Sequence, residues 1–189
     1  NFLIDSFDRF LKQKFIQNIQ TILQNQGMRL VRTTPVTDIE KFLESVYPVT
    51  TNRELIRIGG TSDGGYLVPN DFEGVTTCFS PGVAETANFE LDLASRGIRS
   101  FLADYSINDA PVKNPLFHFE KKFLGATTND VYMTLENWVR RHAPDNNELI
   151  LQMDIEGAEY EVIFDTSHEV LRKFRILVIE FHYQFITLN

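Results

Sequence analysis

Thr76-Thr77-Cys78-Phe79-Ser80-Pro81-Gly82-Val83-Ala84-Glu85-Thr86-Ala87-Asn88-Phe89-Glu90, with the run that follows to Asp104, decides the fold of this chain. It reads as strand, tight turn, helix, second strand and terminal acid. Thr76 to Ser80 is short and β-prone, and Pro81-Gly82 breaks it. Gly82, Ala84 and Ala87 keep the spacing of a G-x-G-x-x-G turn, with Ala in two of its three places. Small residues there let the backbone approach a ligand and the helix pack close to the strand. Phe89 and Leu93 share a helix face, and Gly97 follows Arg96 as a stop. Ile98 to Ala103 is then a buried strand with Asp104 at its end, about 20 residues beyond the turn, where a carboxylate accepts the two hydroxyls of a ribose. A degenerate glycine turn alone is a weak signal. The strand before it and the acid after it make it a candidate nucleoside-cofactor site.

The remaining chain fits one α/β domain with an appendage. The sequence has 189 residues, enough for a proper core, and a net charge of −8, which argues against a nucleic-acid backbone as partner. The single cysteine, Cys78, cannot form an internal disulfide and lies in an apolar strand. It reads as a buried structural thiol in a reducing, cytoplasmic compartment. No apolar run is long enough to span a membrane, and no signal-peptide pattern opens the sequence. Neither does an initiator Met, so a fragment of a longer chain is expected.

Residues 2–26 carry one helical stripe, Ile4, Phe7, Leu11, Phe15, Ile19 and Ile22, with polar residues on the other face. It is expected to serve as core, as a packing arm, or as the contact for a second copy of the chain; no basic face favours lipid. Thr37-Asp38-Ile39-Glu40 matches a capping box. Residues 1–53 are thus expected to be a helical extension, and 54–189 the main domain. Two β-prone runs flank Gly59-Gly60-Thr61-Ser62-Asp63-Gly64-Gly65, a hairpin whose loop could lie over a ligand with Tyr66 stacking on it. Leu116 to Leu124 reads as a strand ended by Gly125, and Thr134 caps a helix carrying Leu135, Trp138, Val139 and a structural His142. Two further strands end in polar residues: Asn147 to Met153 before Asp154-Ile155-Glu156, and Phe174 to Ile179 before Glu180-Phe181-His182. Strands alternating with helices imply a mostly parallel sheet with right-handed crossovers, whose ligand sits outside the carboxyl ends of the strands. That rule gathers Gly82, Asp104, Asp154, Glu156, Glu180 and His182 at one edge.

Leu151-Gln152-Met153-Asp154-Ile155-Glu156-Gly157-Ala158-Glu159-Tyr160 resembles the (K/Q)-x-D-x-E-G-A-E signature of FkbM-type methyltransferases. Thr134-Leu135-Glu136-Asn137-Trp138-Val139 resembles their T-L-D helix start, and Glu180-Phe181-His182 the strand end after the signature. The resemblance covers roughly residues 54–183. It implies a Rossmann-like class I methyltransferase fold, S-adenosylmethionine as methyl donor, and methylation of a hydroxyl on a sugar or small metabolite. Two features depart from the family. Its first motif usually reads D-x-G-A-N-x-G, where this chain has Ser80-Pro81-Gly82-Val83-Ala84-Glu85-Thr86, and its later acid is commonly Glu-Pro, where this chain has Asp104-Tyr105. The class I sheet also continues past the strand at Glu180 with an antiparallel pair, expected to be missing here or to lie beyond Asn189.

On this reading Ser80, Pro81, Gly82, Glu85, Asn88, Asp104, Tyr105 and Tyr66 bind the donor, with backbone near Gly82 and Glu85 at its methionine end and Asp104 at its ribose. His182 is the candidate general base because its ordinary pKa lies near neutrality. Asp154, Glu156 and Glu180 are expected to orient the acceptor, with a divalent cation held through their oxygens as the other use of the same groups. No dedicated metal site is expected. A charged first turn is reason enough for Glu156 and Glu159 on helix-dipole grounds. Two other functions fit the turn and acid: a nicotinamide-dependent oxidoreductase, which leaves D-x-E-G-A-E unexplained, and a non-catalytic nucleoside-binding or assembly domain.

Overall fold

The described residues of the computed structural model are 18–23, 25–27 and 34–183. They fall in two compact units, one spanning Val49–Tyr183 and the other drawn from Asn1–Pro48 and Gln184–Asn189. In the latter, residues 18–23 are helical. The rest of the helix expected over 2–26, and with it the proposed contact for a second copy, lies outside the described residues. Helix α1 (Val36–Ser45) follows, with Pro35 at its N-cap and no side-chain cap. The expected capping box does not form. Pro35 O already accepts from Asp38 N and Ile39 N, at 2.9 and 3.2 Å, so the helix starts ahead of Thr37. A proline with φ of −55° is pre-set for that entry.

The unit Val49–Tyr183 opens with an antiparallel pair, β1 (Leu55–Ile58) and β2 (Tyr66–Pro69), in register Ile58↔Tyr66. Strand β3 (Thr77–Pro81), helix α2 (Asn88–Ala94) and strand β4 (Arg99–Ala103) come next, as the turn pattern requires. Then follow β5 (Phe117–Glu120), β6 (Phe123–Leu124), β7 (Tyr132–Met133), α3 (Leu135–His142), β8 (Leu149–Met153), α4 (Glu159–Asp165), α5 (His168–Leu171) and β9 (Phe174–Ile179). The main sheet has the order β5-β4-β3-β8-β9, with every pairing parallel. This is a mixed α/β architecture consistent with a Rossmann-like fold. The single strand expected over 116–124 is instead two, broken at Lys121-Lys122. Lys122 N turns back to Glu120 O at 2.8 Å, and its ammonium bridges the Asn129 and Asp130 carbonyls, which swings β6 away to pair with β7.

Alternation along the two central strands builds two cores. Every residue of β3 and β8 is buried. Phe79, Leu149 and Leu151 point to one face, where they pack with Phe101, Trp138 and Phe174. Cys78 and Ile150 point to the other, with Phe89 and Leu93 of α2 and with Ile58 and Val68 of the hairpin. The Trp138 and Phe79 rings meet edge to face at 5.0 Å, and the indole N–H donates to Glu120 Oε1 at 2.8 Å. Thr134 caps α3 through Asn137 N, as expected. Strand order reverses between β3 and β8, so a crevice opens outside their carboxyl ends.

Candidate active site

Gly82, at the exit of β3, joins the two halves of the crevice. Its φ is +86°, and a Cβ there would fall 1.6 Å from the Asp154 carbonyl oxygen. Only glycine lets the turn and the end of β8 approach this closely. Ala84 takes the left-handed φ of 41°, a conformation that costs a non-glycine residue free energy. A side chain holds it there: Ala84 N donates to Asp104 Oδ2 at 2.9 Å, while Asp104 Oδ1 accepts from Ser106 N at 2.7 Å and Ser106 Oγ at 2.6 Å. Asp104 is buried at 4 % exposure. The acid expected to clasp a ribose is therefore committed first to bracing its own turn, with part of its acceptor capacity left for a ligand.

A cavity of about 490 Å³ fills the crevice. Gly82, Ala84 and Asn88 line it from the turn, Asp104 from β4, Tyr66 and Asp63 from the hairpin, and Gln152, Asp154 and Glu156 from the end of β8. Of the sequence-predicted contacts, Tyr66, Gly82, Asn88, Asp104, Asp154 and Glu156 thus share one cavity. Ser80, Pro81, Glu85, Tyr105, Glu180 and His182 are not in its lining. Ser80 and Pro81 are buried within β3, and Glu85 is exposed. Tyr105 packs on Phe123 and under the Lys121 ammonium. Glu180 and His182 join the site through its lining residues. Tyr66 Oη donates to Glu180 Oε2 at 3.1 Å, and His182 Nε2 stands 3.7 Å from Asp154 Oδ1 and 3.6 Å from Glu156 Oε2.

The D-x-E-G-A-E loop is organised by its last acid. Glu159 is fully buried, and its Oε1 accepts from Ile155 N at 3.1 Å, Gly157 N at 3.0 Å and His182 Nδ1 at 3.0 Å. Burial pushes its pKa up, but these bonds outweigh burial and hold it below the ordinary glutamate range. His182 is consequently fixed with Nδ1–H on Glu159 and Nε2 toward Asp154. Burial disfavours its charge, yet the bond to Glu159 and the charges of Glu159, Asp154 and Glu156 raise its pKa above the ordinary histidine value. Asp154 moves up as well, through burial first and then the Glu180 charge, with His182 opposing. Its Oδ1 is buried without a hydrogen-bond partner. Tyr66 is pushed well above the usual tyrosine range by burial, then by Asp154 and Glu180. Oxygens of Asp63, Asp154 and Glu180 lie within 4.8 Å of one another, as do ligand atoms of Asp154, Glu156 and His182, so either set could close on a cation.

Four participants escape a reading of the sequence as strand ends. Glu159 looks like a helix N-terminal charge but acts as the anchor of the loop. Asp63 looks like turn chemistry but faces the cavity. Gln152 is the one polar residue in Leu149–Met153, a signal visible in that apolar run. Glu90 sits three positions before Leu93, on the side of α2 that packs inward, and is 2 % exposed.

A parallel sheet with a polar crevice at its switch point is the architecture of a Rossmann-like α/β protein, whose ligand site lies at that edge. The family model for the methyltransferase FkbM domain matches residues 85–187, more than half of the chain, and the chain belongs to that family. The match begins inside the turn, leaving β1 to β3 and Gly82 outside it. No curated protein and no solved structure matches the chain. Among the described residues, no helix is long and apolar enough to cross a membrane.

Proposed function

We propose that the protein transfers a methyl group from S-adenosylmethionine to a hydroxyl of a sugar or small metabolite. Family membership supports methyl transfer. The observation that carries the site assignment is Asp154, whose buried Oδ1 has no hydrogen-bond partner at the wall of a cavity of about 490 Å³. That volume suits a nucleoside-sized ligand, and an orphaned carboxylate oxygen calls for a donor such as an acceptor hydroxyl. S-adenosylmethionine supplies an electrophilic methyl on positively charged sulfur. The chain must therefore align the acceptor oxygen and remove its proton. Gly82 and Ala84 bring backbone to the donor side of the cavity, with Asp104 holding that turn in shape. Asp154 accepts from a neighbouring hydroxyl of the acceptor and so orients the one that reacts. His182 takes the proton at Nε2, and Glu159, accepting at Nδ1, stabilises the imidazolium so formed. Glu156 and Glu180 add negative charge that favours it. Calorimetry with S-adenosylmethionine, S-adenosylhomocysteine and NAD, followed by turnover on hydroxyl acceptors, tests the reading. Binding of NAD alone overturns it in favour of hydride chemistry, and tight donor binding without turnover on any acceptor favours a binding domain.

A further inference from the structure

A buried polar chain runs beneath the turn, and methyl transfer as described above leaves its members Glu90, Ser80 and Gln152 unused. It starts at Glu90, 2 % exposed in the first turn of α2 and part of the cavity wall. Ser80 Oγ, fully buried at the end of β3, contacts Glu90 Oε1 and lies 2.6 Å from Gln152 Oε1 on β8. The Gln152 amide lies near enough to the Tyr66 hydroxyl to act on its ionisation, and Tyr66 Oη donates to Glu180 Oε2 at 3.1 Å.

Proton counting, with Gln152 Oε1 toward Ser80, favours one state of this chain. A hydroxyl carries one proton, and Ser80 meets two oxygens that are both acceptors if Glu90 is ionised. It cannot donate to both. Every proton finds a place when Glu90 carries one. The carboxyl donates to Ser80, Ser80 to Gln152 Oε1, Gln152 Nε2 to Tyr66, and Tyr66 to Glu180. Ionising Glu90 turns the Ser80 hydroxyl toward it. The Gln152 amide must then rotate end for end, and Tyr66 gives up its bond to Glu180. The surroundings agree. Burial raises the Glu90 carboxyl above its ordinary range, and hydrogen bonds from Ser80 and its own backbone oppose this. The neighbouring titratable groups are the Cys78 thiol on β3 and Tyr66 on β2, both held protonated by burial.

We infer that Glu90 is a neutral acid in the free protein and releases its proton to solvent when a cationic ligand enters the cavity it lines. The only bond broken is the carboxyl O–H, and the carboxylate stays to face the positive charge of the ligand. The inference rests on the proposed function for the identity of that ligand, S-adenosylmethionine, which carries a sulfonium and an ammonium group.

Two measurements on the whole chain test it. An infrared pH titration of the free Asp154→Asn protein, which lacks the other raised acid, is expected to show a carboxylic-acid band persisting above the ordinary glutamate range of about pH 4.3, and the further change Glu90→Gln to remove it. Calorimetry of S-adenosylmethionine in two buffers of different ionisation enthalpy, from about pH 5 upward, counts protons. Up to one proton released per ligand is expected. Below the Glu90 pKa of the free protein, affinity should weaken by up to about tenfold per pH unit toward acid. In an Asp154→Asn background, which removes the other raised acid of the cavity, Glu90→Gln should abolish both effects. Binding without proton release at any pH, release undiminished in Glu90→Gln, or absence of the infrared band overturns the inference. Absence of binding at every pH with the band present overturns the methyl-donor reading, and with it the release step, while the band still establishes the neutral acid.

Discussion

Glu159→Ala exposes how much of the D-x-E-G-A-E loop hangs on one side chain. Glu159 Oε1 accepts from Ile155 N, Gly157 N and His182 Nδ1, at 3.1, 3.0 and 3.0 Å. Alanine leaves all three donors without that acceptor. A buried unsatisfied donor costs about 1–3 kcal/mol. These donors are only partly buried, so water reaches some of them, and the low end applies: about 3 kcal/mol for the set. That is a large share of a total stability of about 5–15 kcal/mol. Glu159→Gln keeps an oxygen for the loop but loses the charge, and is expected to cost about 1 kcal/mol, the gap between charged and neutral hydrogen bonds. Urea denaturation of the three proteins measures both. The pH dependence has a fixed sign. The folded pKa of Glu159 lies below its unfolded value. Its ionised form therefore contributes stability in full above the unfolded pKa, and that contribution is lost as pH falls through the folded pKa. The difference between wild type and Glu159→Gln should shrink on acidification. A cost under about 1 kcal/mol for Glu159→Ala, or a difference that grows toward acid, refutes the reasoning.

Gly82→Ala places a Cβ 1.6 Å from the Asp154 carbonyl oxygen at a φ of +86°, and a loss of about 3 kcal/mol or more in thermal or urea unfolding is expected. Asp104→Ala should weaken donor binding and also destabilise the fold by about 2 kcal/mol, since Ala84 N and both Ser106 donors lose their acceptor. Weaker binding at unchanged stability would show a direct ligand contact instead. His182→Ala and Asp154→Asn should suppress methyl transfer while leaving donor affinity, measured by calorimetry, within a few-fold. Full activity in both removes them from the acceptor site. Asp154→Asn should also raise the melting temperature at neutral pH, because an acid whose folded pKa is raised destabilises the fold once ionised.

The parallel sheet was legible because its signals are local and repeated. The strand–turn–helix–strand order around Gly82 and the apolar runs ending at Asp154 and Glu180 place three strand ends at one edge. The family signature lies in the same residues. What was not legible depends on which neighbour a side chain meets. Thr37 matches a capping box, but Pro35 starts the helix ahead of it. Lys122 breaks a good strand pattern because its ammonium finds two carbonyls about seven residues on. Asp104 reads as a ribose contact by position, and nothing local in the sequence shows that Oδ2 also anchors the left-handed Ala84 and Oδ1 also meets Ser106. Glu90 and Gln152 are ordinary polar residues until tertiary packing sets Ser80 between them.

The acids of the crevice share one charge type yet are driven to different states, and this difference distributes their roles. Glu159 is held ionised by three N–H donors, which makes it a fixed anion able to orient His182 and stabilise its protonated form. Asp154 is pushed the other way by burial and by Glu180, so it gains from any proton or donor brought to its orphaned Oδ1. Such opposed shifts among neighbouring groups are how one site assigns an anchor and a proton acceptor at the same pH. His182 lies between them, with Nδ1 on the anchor and Nε2 toward the acceptor side. An acceptor with neighbouring hydroxyls therefore meets a carboxylate in need of a donor from one of them and, beside it, an imidazole already oriented to remove the proton of the other. The crowding that destabilises Asp154 is what prepares the crevice for a neutral polar acceptor, since another anion would add to the repulsion and a hydroxyl relieves it.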